Sequence, residues 1–182
     1  MGRQRDATFY DGTYSRQPRR ARQITHERHQ EIAKWIVGDS VLDLGCGVAL
    51  IANMIGQRDY LGIDFSAEAI ASCHKVSTNK NATFVIGSVF DETILPNRTY
   101  DTVLAIEVLE HLDNPEELVQ LALAHCEKRL IVTVPVDMRG PAHVRPTWER
   151  EDITSLVGPT KALYQFGGDD ADYWWLAVKD VN

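Results

Sequence analysis

Short apolar segments alternate with amphipathic segments through the middle of the chain, between residues 41 and 136. Apolar segments such as VLDLG, YLGIDF and LIVTVPV have the length of strands, and the segments between them have helical periodicity. Neighbouring parallel strands need a long crossover connection, which a helix supplies. The alternation therefore predicts an α/β domain with a mostly parallel sheet and helices on both of its faces.

Apolar spacing and helix-end signals predict four helices. They cover residues 24–37, 48–55, 66–77 and 115–128. Gly38 and Gly56 are suited to end the first two, because glycine adopts the left-handed conformation that closes a helix. Ser66 is a good N-cap for the third helix, and Pro115 fits the first turn of the fourth.

Two strand-like segments near the C-terminal end, KALYQF and YWWLAVK, are separated only by GGDDAD. This connection is too short for a crossover helix, so the two strands must be antiparallel. We expect this hairpin at the edge of the sheet, which brings the number of predicted strands to seven. A length of 182 residues fits a single domain of this kind.

The net charge of the chain is −7, so an average part of its surface repels phosphate backbones. The N-terminal segment differs, because residues 1–25 carry six arginines and only two aspartates. We expect residues 1–23 to form a separate arm and residues 24–182 to form the domain. A nucleic acid could bind only through such a local basic patch.

Cys46, Cys73 and Cys126 are far apart and form no CxxC pair, so the sequence supports neither a disulfide framework nor a zinc site. The arginine-rich start lacks the apolar stretch of a signal peptide. No segment has the length and apolar character of a membrane span. These features predict a soluble, cytoplasmic protein with reduced thiols.

The first predicted strand ends in LGCG, at the turn where an open parallel sheet usually binds its ligand. A dinucleotide fingerprint needs glycine or alanine at position 50, where this chain has Leu50. Asp43 lies just before Gly45, and its carboxylate would repel a pyrophosphate and attract a cation. The sequence therefore predicts a positively charged ligand at this turn.

The stretch DLGCGVA resembles the DxGxGxG motif of class I S-adenosylmethionine-dependent methyltransferases, with Ala49 at the third glycine position. The similarity extends over about residues 38–136 and implies a Rossmann-like, doubly wound fold. It also implies S-adenosylmethionine as the cofactor, which carries a sulfonium and an ammonium group against one carboxylate. The residues expected to bind its methionine portion at the turn are Asp43, Gly45, Cys46 and Gly47.

Residues after the second and third strands are expected to bind the adenosine portion. In this family the acid that ends the second strand, here Asp64, binds both ribose hydroxyls, and Phe65 can cover one face of adenine. Asp64 can also be interpreted as a cap of the following helix. The family usually has Gly-Asp after the third strand, whereas here serine takes the place of the aspartate. Ser88 and the amide of Val89 can still meet the adenine edge, and Asp91 is a nearby substitute.

The fourth strand ends in AIEVLEHLDNP, which is similar to the EVLEHxxDP stretch of methyltransferases that act on small molecules, quinone precursors and glycan-linked substrates. Glu107 and the backbone around Val108 are expected to face the methionine end, where a carboxylate or carbonyl pairs with the ammonium. A hydroxyl acceptor must lose a proton, and His111 or His143 can accept it as the catalytic base. His111 can equally be a rim residue that solvates this turn.

The leading hypothesis is therefore methyl transfer from S-adenosylmethionine to an oxygen or nitrogen of a small or carrier-linked metabolite, without a metal. The acceptor pocket is expected to involve residues 137–150, which follow the fifth strand. The N-terminal arm can be a disordered or solvated segment, and the resemblance also allows it to fold over the cofactor as a lid, through Tyr10, Tyr14 and Arg16.

Two alternatives remain open. Together with the TWER segment, four residues resemble the site of the metal-dependent small-RNA 2′-O-methyltransferases, where two carboxylates and two imidazoles hold a divalent cation. These residues are Glu107, Glu110, His111 and His143. The basic arm favours an RNA partner, and the net charge of −7 disfavours it. The second alternative is a non-catalytic, cofactor-binding subunit.

Overall fold

Seven strands form one sheet in the computed structural model, which describes residues 27–91, 93–138, 143–167 and 173–181. The strands are β1 (Ser40–Leu44), β2 (Asp59–Asp64), β3 (Ala82–Ile86), β4 (Tyr100–Ile106), β5 (Cys126–Pro135), β6 (Ala162–Gly167) and β7 (Tyr173–Asp180). Their order is β3-β2-β1-β4-β5-β7-β6. β1 to β5 pair in parallel, whereas β7 is antiparallel to both β5 and β6. The predicted mostly parallel sheet with a C-terminal antiparallel hairpin is confirmed.

Helices cover both faces of this sheet. They are α1 (residues 27–33), α2 (Ala67–Val76), α3 (Pro115–Ala124) and α4 (Arg150–Val157), with short 3-10 turns at Leu50–Asn53 and Leu109–His111. The predicted start signals are present: Ser66 Oγ accepts a hydrogen bond from the amide of Ala69 at 3.1 Å, and Pro115 begins α3. Within the described ranges no helix has the length and apolar character needed to cross a membrane.

The core lies in two layers, one on each face of the sheet. Along β1, Leu42 and Leu44 belong to one layer and Val41 to the other, as the alternation of side chains along a strand requires. α3 and α4 contribute to the first layer, whereas α1 and α2 contribute to the second. Burial on both faces is the arrangement expected for a doubly wound sheet.

The carboxyl ends of β1, β2 and β4 lie side by side at one edge of the sheet. β1 lies between β2 and β4, so the strand order reverses there, at the point where open α/β sheets bind ligands. Leu44 pairs with Ile63, and Asp64 pairs with Ile86, so the loops after β1, β2 and β3 leave the sheet at one level. The sheet therefore gathers the predicted site loops at one edge.

The helix predicted for residues 48–55 is wrong, because a single 3-10 turn at Leu50–Asn53 takes its place. Ala49, directly before this turn, is left-handed with φ 48° and ψ 47°, so a regular helix cannot include it. Ile51 and Ile55 are buried all the same. Their spacing of one helical turn explains why the sequence pattern favoured a helix.

Two other helix boundaries differ from the predictions. α1 ends at residue 33 rather than 37, and the left-handed Gly38, with φ 72°, lies in the connection to β1. The predicted start of α1 at residue 24 lies outside the described residues. α3 ends at Ala124 rather than 128, because Cys126 already pairs with Tyr100 in the sheet.

α4 begins where residues 137–150 end, the segment expected to contribute to the acceptor pocket, and it is not among the four predicted helices. It begins with a capping box: the Glu149 carboxylate accepts a backbone N–H, and the Asp152 carboxylate accepts the amide of Glu149 at 2.8 Å. The usual capping-box signature has Ser, Thr, Asp or Asn at the N-cap and Glu or Gln three residues later, so this pair of acids departs from it. Ile153 and Val157 carry α4 into the core.

Asp101 in β4 fixes the chain where it enters β1. Its Oδ2 accepts the amides of Asp39 at 2.7 Å and Ser40 at 3.1 Å, and Lys128 Nζ lies 2.6 Å from its Oδ1. The ion pair with Lys128, together with these amides, lowers the pKa of Asp101 to about 2. The ionised carboxylate therefore stabilises this junction.

We expect Asp101→Asn to lower the free energy of unfolding by about 1–3 kcal/mol near neutral pH, because the charge-assisted bonds are lost. Since the pKa of Asp101 is lowered on folding, its contribution is present above about pH 4 and is lost as the pH falls towards 2. Urea unfolding near pH 7 and near pH 3 measures both effects. Asp59→Asn, which breaks the exposed pair with Arg98, is the matched control and should change stability by less than about 1 kcal/mol. Equal losses for the two variants would contradict the assignment.

Candidate active site

The loop after β1 is a tight turn with left-handed glycines. Gly45 has φ 78° and Gly47 has φ 52°. The amides of Gly45 and Cys46 both donate to the carbonyl of Ile63 in β2, at 2.8 and 3.0 Å. A Cβ atom added to Gly45 would lie 2.5 Å from Cγ2 of Val108, which lies in the loop after β4. The turn is therefore enclosed by β2 on one side and by the loop after β4 on the other.

Asp64 ends β2 and joins this turn to α2. Its Oδ2 accepts the amide of Gly47 at 2.8 Å, and its Oδ1 accepts the amide of Ser66 at 2.9 Å. The side chain is buried, so both bonds are made away from bulk water. The cap of α2 is Ser66 itself, and Asp64 holds it in place. Binding of the ribose hydroxyls by Asp64 stays a prediction.

Asp43 is a buried carboxylate in β1, shortly before the turn. Its Oδ2 accepts the hydroxyl of Tyr60 at 2.5 Å, and its Oδ1 has no hydrogen-bond partner among the described residues. Burial raises the pKa of Asp43 to about 7, with a further contribution from the charge of Asp64 and an opposing one from Tyr60. A cation beside Oδ1 would favour the ionised form. The attraction of Asp43 for a cationic ligand stays a prediction.

Two thiols meet beside the same turn. The Sγ atoms of Cys46 and Cys73 both donate to the carbonyl of Gly47, at 3.7 and 3.2 Å. The neighbouring Cys73 thiol and burial raise the pKa of Cys46. A buried thiol with a raised pKa is a poor nucleophile. Any contact of Cys46 with a cofactor is therefore packing or backbone contact rather than thiolate chemistry.

The residues predicted to contact adenine follow β2 and β3. Phe65 is 38% exposed, and Val89 packs against the core. Ser88 Oγ accepts a backbone amide at 3.2 Å. Asp91, the suggested substitute, accepts the amide and the hydroxyl of Thr93 at 2.9 and 2.7 Å. Asp91 therefore caps a local turn, and the adenine contacts of Phe65, Ser88 and Val89 stay predictions.

Glu107 directly follows β4 and is held by residues that the sequence did not indicate. Its φ of 58° is uncommon for a residue other than glycine. Its Oε2 accepts Arg28 Nη1 at 3.0 Å and Trp174 Nε1 at 2.6 Å, and its Oε1 accepts the hydroxyl of Thr133 at 3.3 Å. Arg28 also lies over the ring of Trp174, 4.5 Å from its centroid. The carboxylate expected to face the methionine ammonium is thus already paired with Arg28.

Glu110, His111 and His143 form a second polar group after β4. One potential ligand atom from each residue lies within 4.8 Å of the other two. The two imidazole rings are 5.0 Å apart between centroids, edge to face. Glu110 is buried, its Oε1 lies 4.0 Å from Nε2 of His111, and its Oε2 has no hydrogen-bond partner in the described part of the chain. Burial and the charge of Glu107 raise the pKa of Glu110.

The two histidines meet because the chain after β5 folds back onto Glu110. The amides of Val144 and Arg145 donate to the backbone carbonyl of Glu110 at 2.8 and 3.1 Å. These bonds bring His143 to His111, although the two are distant in sequence. The structure thus brings together both residues predicted to be catalytic, together with one carboxylate.

The same fold is found in solved methyltransferase structures. Magnesium protoporphyrin IX methyltransferase (ChlM) from Synechocystis PCC 6803, with bound SAH, has a TM-score of 0.72 at 16% identity, covering 92% of this chain and 89% of that chain. The N-methyltransferase NodS from Bradyrhizobium japonicum WM9, in complex with S-adenosyl-l-homocysteine, has a TM-score of 0.69 at 15% identity, covering 85% of each chain. This similarity establishes a Rossmann-like methyltransferase fold.

Residues 15–151 match the methyltransferase domain family, and the chain belongs to that family. The ubiquinone biosynthesis O-methyltransferase of Photobacterium profundum is 31% identical over 88 residues, which cover 46% of this chain and 37% of that protein. The protein of the same name from Vibrio parahaemolyticus is 29% identical over 98 residues, covering 52% and 42%. The chain thus matches less than half the length of these relatives.

We expect Gly45→Ala to destabilise the protein more than Gly56→Ala. Both glycines are left-handed, with φ 78° and 73°, so both substitutions introduce backbone strain of about 1 kcal/mol. Only at Gly45 would the new methyl group also collide with Val108, since nothing lies within 4 Å of the corresponding position at Gly56. The additional loss should be about 1–3 kcal/mol in urea unfolding. Equal losses would show that Val108 moves away freely.

We expect the free energy of unfolding of the wild-type protein to fall, relative to that of the Asp43→Asn variant, as the pH rises. The pKa of Asp43 is raised to about 7, so the stability linked to its proton is complete below about pH 4 and is lost as the pH passes 7. Between about pH 5.5 and 8.5 the wild type should lose about 2 kcal/mol relative to the variant. Urea unfolding of both proteins at the two pH values measures this difference, and parallel curves would contradict the burial of an ionisable Asp43.

Proposed function

We propose that this chain binds S-adenosylmethionine at the glycine turn and transfers its methyl group to a hydroxyl oxygen of a small or carrier-linked metabolite. Membership of the methyltransferase domain family supports the reaction type. The observation that carries the proposal is the buried Asp43, which has one carboxylate oxygen without a partner among the described residues, next to the turn. A carboxylate in that state matches a ligand with positive charge.

The residues of the glycine turn fit the methionine end of this cofactor. When bound, S-adenosylmethionine supplies an electrophilic methyl group on a sulfonium. Gly47 has no side chain, so a ligand can approach the backbone of the turn closely there. Asp43 provides charge complementary to the sulfonium or the ammonium, and Val108 occupies the place that a side chain at Gly45 would take. Glu107, paired with Arg28, presents both a carboxylate and a guanidinium at this end.

The acceptor is proposed to bind near His111 and His143. Methyl transfer requires the acceptor atom to be held in line behind the methyl carbon, and positioning can supply much of the acceleration. A hydroxyl must also lose its proton, and two imidazoles beside a carboxylate can assist that loss. The names of the curated relatives, which are O-methyltransferases, favour oxygen over nitrogen as the acceptor atom.

The arm or lid predicted for residues 1–23 lies outside the described residues. The family match begins at residue 15, so part of this segment belongs to the matched region. We further propose a cytoplasmic location, which the free thiols of Cys46, Cys73 and Cys126 favour.

Calorimetric titration of the full chain with S-adenosylmethionine, S-adenosylhomocysteine and NAD tests the cofactor. We expect the first two to bind and NAD not to bind. Asp43→Asn should weaken S-adenosylmethionine binding by about tenfold, because a charge interaction worth about 1.4 kcal/mol is removed. Binding of NAD alone would overturn the proposal, and no binding of either compound would favour the non-catalytic alternative.

Transfer of a labelled methyl group to fractionated cell extract tests the reaction and yields the acceptor. His111→Ala and His143→Ala should each lower turnover by about 100-fold or more on that acceptor, while cofactor affinity stays within about twofold. His74→Ala, which removes an exposed imidazole from α2, is the matched control and should retain full turnover. Full turnover in both His111→Ala and His143→Ala would show that neither histidine takes part in catalysis.

A further inference from the structure

We infer that Tyr60 is a positioning residue of the cofactor site: its hydroxyl holds one oxygen of Asp43, leaves the other oxygen available to the cationic cofactor, and makes cofactor binding release the proton of Asp43. This inference rests on the proposed function. Tyr60 lies in β2, is completely buried and is not among the residues that the sequence predicts to bind the cofactor. Its hydroxyl donates to Oδ2 of Asp43 at 2.5 Å.

Tyr60 can contact Asp43 because Gly62 has no side chain. Asp43 pairs with Gly62 in the register of β1 and β2, and Tyr60 comes two residues before Gly62, so the three residues belong to one face of the sheet. A Cβ atom added to Gly62 would lie 3.0 Å from Cε1 of Tyr60 and 2.8 Å from Sγ of Cys46. The tyrosine ring therefore occupies the space that a side chain at position 62 would take.

The Tyr60–Asp43 pair lies in the core, where solvent cannot replace its hydrogen bond. The ring of Tyr60 packs against Phe84 in β3, with 5.9 Å between the centroids, and Asp43 is only 3% exposed. A hydrogen bond away from bulk water is electrostatically stronger than an exposed one. Oδ1 of Asp43 has no partner in the described part of the chain, and a buried carboxylate oxygen in that state requires one.

Within this pair Tyr60 is the donor and Asp43 is the group that titrates. Burial and the charge of Asp43 raise the pKa of Tyr60, so the hydroxyl keeps its proton at neutral pH. Burial raises the pKa of Asp43 to about 7, and the bond from Tyr60 opposes this rise because it stabilises the ionised form. Three other titratable groups raise the pKa of one member of the pair, and none of them is a cation. They are Asp64 in β2, Cys46 in the turn and Cys73 in α2.

The pair makes cofactor binding depend on pH in a way that Tyr60 controls. A cation at Oδ1 favours the ionised form of Asp43, so its binding near and below pH 7 releases a proton. Without the Tyr60 hydroxyl the ionised form loses a hydrogen bond, and the pKa of Asp43 rises further. The affinity for a cationic cofactor should therefore fall most at low pH. If Tyr60 served only in packing, its loss would lower the affinity by the same factor at every pH.

Calorimetric titration of the full chain with S-adenosylmethionine at pH 6 and pH 8.5 tests this role. Tyr60→Phe keeps the ring and removes only the hydroxyl, and it should raise the pH at which Asp43 titrates by about one pH unit. Binding should then weaken by about tenfold at pH 6 and by less than about twofold at pH 8.5. Comparison of the two proteins at the same pH cancels the titration of the ligand itself. In buffers of different ionisation enthalpy, the wild type should release about one proton on binding at pH 6.

Tyr100→Phe is the matched control. Tyr100 is also a buried tyrosine, but it begins β4 at the end of the strand away from the site, and its ring lies 4.3 Å from the guanidinium of Arg98. This variant should bind S-adenosylmethionine as the wild type does at both pH values. Unchanged binding by Tyr60→Phe, or equal weakening at pH 6 and pH 8.5, would overturn the inference. Circular dichroism of each variant excludes a loss of fold as the cause.

Nuclear magnetic resonance of the ¹³C-labelled full chain without ligand separates this inference from the proposed function. The carboxyl signal of Asp43, assigned by its loss in Asp43→Asn, should titrate near pH 7 and about one pH unit higher in Tyr60→Phe. An unchanged midpoint would overturn the coupling of the two residues. If the midpoint moves as expected but S-adenosylmethionine does not bind, the proposed function fails while the coupling stands. Binding that Tyr60→Phe weakens equally at both pH values refutes only the inference.

Discussion

The glycine turn after β1 keeps its shape because the end of β2 holds it. The carbonyl of Ile63 accepts two amides of the turn, and the carboxylate of Asp64 accepts a third. These bonds exist only in the register that places Leu44 opposite Ile63. A slip of one residue would move that carbonyl away and send the side chain of Asp64 to the other face of the sheet. The geometry of the cofactor end therefore depends on the pairing of β1 with β2.

Much of the architecture could be predicted from the sequence because it depends on local signals. The hairpin of β6 and β7 follows from a connection too short for a helix, and the start of α2 follows from the cap at Ser66. The gathering of Asp43 and Asp64 at one edge follows from parallel strands, whose carboxyl ends always meet there. These inferences need the order of residues but no knowledge of distant contacts.

The features that were missed depend on contacts between segments far apart in sequence. Nothing near Glu107 indicates that Arg28 and Trp174 bind its carboxylate. Ala49 matches a helical pattern, yet it adopts a left-handed conformation because the turn before it must close against β2. The grouping of His143 with His111 comes from the resemblance alone, because the local sequence does not show that the chain after β5 returns to Glu110. Tertiary constraint overrides local preference at each of these positions.

Four largely buried carboxylates lie at the carboxyl ends of the strands. The hydrogen bonds and ion pairs that stabilise their negative charges differ from one carboxylate to the next. Asp64 accepts backbone amides, and Glu107 is paired with Arg28, so both are stabilised by the protein itself. Asp43 and Glu110 each keep an oxygen with no partner among the described residues, and burial raises the pKa of both.

A carboxylate buried in this way destabilises the unliganded chain when it ionises, and a cation at its open oxygen reverses that effect. Asp43 lies at the turn where the sulfonium compound is proposed to bind. Because a ligand that binds only the folded state stabilises it, this cation should restore the stability that the ionised Asp43 removes. The buried charge of Asp43 would therefore both lower the stability of the unliganded protein and favour the binding of a cationic ligand.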